Sequence, residues 1–173
     1  VGTLVTTFLL SLEITSKRTV VYHFIPSILL AANGAFSYWS FSGMETALFT
    51  FLVSMGVYHY VREIASSKPS LLSSLFWGLA SLTRPEGILL FTLTTVHYLL
   101  HFKKERKISV LTVSKWILPF SALVVPHFIF RFLYYGSFLP NTYFAKSPPW
   151  HVAIEFGITY TSQFLVEYGL WGI

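Results

Sequence analysis

Apolar residues gather into seven runs, at about 1–12, 20–33, 43–61, 70–83, 87–101, 109–130 and, less sharply, 151–173, and few charges interrupt them. None of the runs alternates polar and apolar residues with a period of two, so none reads as a strand of a membrane barrel. A chain that places such runs in lipid has to satisfy every backbone N–H and C=O within the segment, which leaves helices. The expected fold is therefore all-α: a polytopic transmembrane helix bundle of about six to seven helices, with residues 1–173 forming part of one transmembrane domain. Several runs are shorter than the roughly 20 residues that cross the hydrocarbon. Pro26, Pro119 and Pro126 fall inside runs and are expected to kink their helices.

Composition agrees with a bilayer. Only 11% of residues are charged and 54% are hydrophobic, with a mean hydropathy of +0.62; soluble domains carry about 25% charged residues. A net charge of +5 would suit nucleic acid, but the basic residues sit in short clusters between the runs, where they read as topology signals and not as a binding face. No nucleic acid partner is expected; membrane lipids are. Cysteine is absent, so disulfides, thiolate nucleophiles and cysteine metal sites do not arise. All seven acidic residues are Glu.

If successive runs cross the membrane, Lys17 and Arg18, Arg62 and Lys68, and the Lys103–Lys107 cluster share one side, which the positive-inside rule makes cytoplasmic. The outer side receives Arg84, Arg131 and Lys146. Cations on the disfavoured side call for a separate explanation.

Three segments fall on that outer side: SGMET (Ser42–Thr46), TRPEG (Thr83–Gly87) and RFLYYGSFLPNTYFAK (Arg131–Lys146). Ser42 with Glu45, and Thr83 with Glu86, fit the capping-box spacing at the start of an apolar run, and Pro85 suits a first helical turn. Glu45 and Glu86 have two readings: carboxylates that only close those boxes, or carboxylates that hydrogen-bond sugar hydroxyls or orient a neighbouring Arg. Arg84 opposes the dipole of the helix that follows it, so an anion should offset it. One reading pairs it with Glu45 or Glu86. The other joins Arg84, Arg131 and Lys146 in a phosphate site beside two helix N-termini. His97 and His101 stand one turn apart, a metal-compatible spacing, but lack a zinc-protease Glu, and no metal is expected.

SGMETALF, GLASLTRPEGILL and YYG-x-x-LPNT-x-x-AK, in this order, resemble a group of bacterial membrane glycosyltransferases of the GT-C superfamily that includes relatives of the mycobacterial terminal arabinofuranosyltransferase. The resemblance covers about residues 35–150. It implies an integral protein of the bacterial cytoplasmic membrane with its active site facing outward, moving a sugar from a polyprenyl-phosphate donor to a glycan or lipid acceptor of the cell envelope. No cofactor is implied. By resemblance, Arg84, Arg131 and Lys146 hold the donor phosphate, and Tyr135, Asn141 and Tyr143, with Glu45 and Glu86, shape the substrate pocket. The superfamily's base is usually an Asp of the first external loop, and this chain has none. The base is therefore expected upstream of Val1, in an N-terminal catalytic loop outside this sequence, and a C-terminal region is likewise expected to lie outside it. The alternative is a transporter or flippase for an anionic or lipid-linked substrate, which would also place cations at membrane depth.

Overall fold

The computed structural model describes residues 1–15, 19–66, 71–104, 110–138 and 148–167, without the side chains of 102–104, 110 and 112. Among these residues every element is helical: α1 (Gly2–Ile14), α2 (Val20–Ala32), α3 (Gly34–Phe41), α4 (Thr46–Ser66), α5 (Leu72–Thr83), α6 (Glu86–Lys104), α7 (Val110–Tyr135) and α8 (Trp150–Glu167). The all-α expectation holds. The short α3 is an addition to the seven runs. Asn33 creates it, because its side-chain oxygen accepts the Phe36 N–H at 2.9 Å and caps a new helix directly after α2.

Among the described residues, one helix is long and apolar enough to cross a membrane, over Val113–Tyr135; α2 and α3 are so only when taken together, as a pair bent by 64°. Breaks at Asn33 and at Arg84–Pro85 leave α2 with 13 residues and α5 with 12, and α1 likewise has 13. At 1.5 Å per residue that is under about 20 Å.

The chain forms two compact units, Val1–Ile129 and Phe130–Ile173. Within the first, α1, α2, α4, α5 and α6 alternate in direction along the chain. Gly2 lies against Phe51, Thr6 Oγ1 meets Met55 Sδ at 3.2 Å, and Glu13 pairs with Arg62 at 3.7 Å, so α1 and α4 run parallel in one register. Ser11 meets His23 and Ser27 meets the Leu4 carbonyl, which sets α2 antiparallel to α1. The α4–α6 pair touches at Tyr60 with His97 and, towards the other end, at Glu45 with Arg84, so these two also run parallel. Thus α1, α4 and α6 all end on the side from which the basic loops depart.

Small residues set the spacing of this unit. Gly56 faces the Trp77 ring so closely that a Cβ there would lie 3.1 Å from it, and one at Gly78 would lie 3.0 Å from Leu123. Trp77 and Trp116 are buried, with Phe91, Tyr98, Phe120 and Val124, in one aromatic cluster. Phe91 stacks on Phe120 and Tyr98 on Trp116, while Trp116 Nε1 donates to Thr95 Oγ1 at 3.0 Å. Pro119 and Pro126 lie inside α7 and Pro26 inside α2. A proline disturbs the i to i−4 ladder around it. Next to Pro119, the Phe120 N–H donates at 3.3 Å to the Ser74 hydroxyl of α5.

Candidate functional site

Two of the three sequence segments meet in the first unit. Arg84 Nε lies 4.0 Å from Glu45 Oε1 and Arg84 Nη2 lies 3.9 Å from Glu86 Oε1, with the guanidinium 5.6 Å from the centre of the Phe49 ring. The anion that Arg84 requires is thus supplied by the protein itself. All three side chains are a third to three-fifths exposed.

The local cause differs from the capping boxes that the spacing suggests. Pro85 excludes helical geometry at the residue before it, and Arg84 is extended (φ −145°, ψ 140°). The chain therefore breaks at Arg84, which leaves Thr83 in the last turn of α5 with its hydroxyl donating to the Ala80 carbonyl at 2.7 Å. At the other motif, Gly43 takes a left-handed conformation (φ 71°) and closes α3. Ser42 is consequently the C-cap of α3, and its hydroxyl donates back to the Trp39 carbonyl at 2.9 Å. Helices do open where expected, with the Glu45 carbonyl accepting the Phe49 N–H at 2.8 Å. Neither Ser42 nor Thr83 caps them, which frees both carboxylates to face Arg84.

Gly87 fixes the approach. A Cβ on it would lie 2.5–2.7 Å from backbone atoms of Ala80 and Ser81, so only glycine lets α6 start this close to the end of α5.

In the second unit, Arg131 and Tyr135 occupy the last turns of α7; Arg131 is half-buried and Tyr135 exposed. Gly136 (φ 67°) ends that helix, its N–H donating to the Phe132 carbonyl at 3.0 Å, which is the structural role of the glycine in LYYG. Asn141, Tyr143 and Lys146 lie outside the described residues.

A second polar cluster lies at the opposite end of α4 and α6; the spacing of His97 and His101 was legible in the sequence, but Glu63 was not. Glu63 is buried at 2% exposure, and its Oε1 accepts from both Ser73 N (3.3 Å) and Ser73 Oγ (2.6 Å). This carboxylate caps α5, whose N-cap residue Leu71 has no side chain able to do so. Nearby, Tyr60 OH is hydrogen-bonded to His97 Nδ1, and the His97 ring stacks at 6.1 Å on His101. The sequence signal was a lone Glu at the end of an apolar helix. Among the described residues, no three His, Cys, Asp or Glu gather as metal ligands.

No protein-family model, curated protein or solved structure matches this chain.

Proposed function

We propose that the protein is a polytopic glycosyltransferase of the GT-C kind, moving a sugar from a polyprenyl-phosphate donor to a glycan or lipid acceptor on the outer face of the bacterial cytoplasmic membrane. The observation that carries the reading is the meeting of SGMET and TRPEG in one exposed Glu–Arg–Glu cluster, at the helix ends opposite the basic loops. The third segment carries the most specific part of the resemblance. In this reading Arg131 and Lys146 hold the donor phosphate, and Tyr135, Asn141 and Tyr143 line the pocket. In an inverting transfer the acceptor oxygen bonds to the anomeric carbon as the carbon–phosphate oxygen bond breaks. The hydroxyl proton passes to a carboxylate base and the carrier phosphate departs with the electron pair, stabilised by cations. No residue of 1–173 is assigned as that base.

Transfer of radiolabelled sugar from a polyprenyl-phosphate donor, measured with the full-length protein in membranes, tests this. Each hydrogen bond to a charged group contributes about 1.5–3 kcal/mol, so Arg131→Ala and Lys146→Ala should each cut transfer roughly ten- to a hundredfold. Transfer unchanged by both would remove the phosphate role. Movement of the labelled lipid between leaflets without a new glycosidic bond would favour the flippase alternative.

Topology is checked separately. The chain has no native cysteine, so single cysteines report cleanly. Met44→Cys and Asn141→Cys are expected to react with a membrane-impermeant maleimide from outside, and Glu105→Cys only after permeabilisation. Outside labelling at 105 with 44 protected would invert the orientation and place the cluster in the cytoplasm.

A further inference from the structure

The geometry points to the Glu45–Arg84–Glu86 cluster as a subsite for sugar hydroxyls, not for the donor phosphate. This deepens the glycosyltransferase reading and rests on it for the identity of the ligand as a sugar.

Charge balance is the first reason. The two carboxylates outnumber the one guanidinium, and both stand within 4.0 Å of it. A phosphate approaching Arg84 would meet two negative groups around a single positive one. Coulomb repulsion at these distances is comparable with the attraction, so the cluster is a poor anion trap. Arg131 has no such carboxylate neighbour among the described ion pairs.

Hydrogen-bonding capacity is the second. At 3.9 and 4.0 Å the carboxylates offset the charge of Arg84 without taking its hydrogens, because both separations exceed hydrogen-bond length. Among the described residues, no acceptor lies within hydrogen-bond distance of the guanidinium and no donor within that distance of either carboxylate. The five N–H donors of the guanidinium and the four carboxylate oxygens are therefore unspent on one another, on side chains that are all partly exposed. A phosphate can use only the donors. A sugar hydroxyl donates and accepts at once, so a pair of neighbouring hydroxyls can bridge a carboxylate and the guanidinium together.

The third reason is preorganisation. Phe49 backs the guanidinium plane, Arg84 is held extended by Pro85, and Gly87 fixes the start of α6. Backbone geometry brings the helix ends that carry the three side chains together before any ligand arrives, which lowers the ordering cost of binding.

The test uses the full-length protein in nanodiscs with two probes: a panel of methyl arabinofuranoside, glucopyranoside and mannopyranoside, and farnesyl phosphate. Binding is read by saturation-transfer NMR, with the unfolding midpoint of every variant as a folding control. At least one glycoside is expected to bind. Glu45→Gln and Glu86→Gln should each weaken it about threefold to tenfold, a loss reduced by the partial exposure of the site. The same variants should bind farnesyl phosphate as well as or better than the unaltered protein, since each removes a negative charge. Arg84→Lys, which keeps the charge and loses the fork, should weaken the glycoside like Arg84→Gln. Competition with farnesyl phosphoryl mannose separates the two sources of sugar: displacement of the glycoside assigns the subsite to the donor, and its persistence to the acceptor, and both outcomes support the assignment. The inference is overturned if no glycoside binds, if the Glu variants bind glycosides normally, or if Arg84→Gln weakens only farnesyl phosphate. Glycoside binding without any farnesyl phosphate binding to the unaltered protein would instead remove the lipid-carrier reading and leave the hydroxyl subsite standing.

Discussion

Replacing Gly87 by alanine is expected to lower stability by about 3 kcal/mol, the upper part of the usual range for overpacking a close contact. The added methyl would sit 2.5–2.7 Å from backbone atoms of Ala80 and Ser81. Backbone cannot rotate away as a side chain can, so α6 has to shift from the end of α5. For a protein of this size the loss corresponds to a fall of roughly 6–12 °C in the unfolding midpoint, measured by circular dichroism in detergent. The shift would also carry Glu86 away from Arg84, so glycoside binding should weaken in parallel. Gly157 supplies the comparison, because it stands inside α8 and a Cβ added there would have nothing within 4 Å. There Gly→Ala should stabilise by roughly 0.5–1 kcal/mol through helix propensity. A Gly87→Ala protein that melts with the parent would mean that the α5–α6 turn is not this tight.

Glu63→Ala should have an effect of similar size at the other end of α4. It strips the acceptor from the Ser73 N–H and Oγ, both buried, and each orphaned group costs about 1–3 kcal/mol. A total loss of about 3 kcal/mol is expected. Glu63→Gln keeps an oxygen acceptor in the same place and should recover more than half of it. The contact is isolated by a double-mutant cycle with Ser73→Ala. Groups in direct contact should show a coupling of at least roughly 0.5 kcal/mol. Strictly additive losses would show that Glu63 does not stabilise the start of α5 through Ser73.

Both residues bear on how much of the molecule is legible from its residues in order. The seven apolar runs correspond to seven of the helices, since helical burial and the lack of period-two alternation are local properties that a window of residues carries. The helix starts near Glu45 and Glu86 were legible for the same reason. The capping boxes were not formed, although the spacing was correct. A capping box competes with whatever the preceding residues are doing, and at both places a helix was ending: Gly43 had already committed Ser42 to α3, and Pro85 had committed Thr83 to α5. The α3 helix was missed because its signal is a single Asn before a Gly inside one apolar stretch.

Residue order alone makes this chain helical, locates most of its helices, and alternates its basic loops with loops carrying Glu45, Arg84 and Glu86. Those are consequences of residue type and short-range spacing, which act through the backbone within a few turns. Which polar groups became partners was settled by the packing of the helices against one another. Glu45 reaches Arg84, far along the chain, because α4 and α6 run parallel and begin together, and Glu63 caps a helix that starts in a different segment from its own. Partner choice depends on where helix ends fall relative to one another, and that is set by packing at glycines such as Gly56, Gly78 and Gly87, where one methyl group would separate the helices.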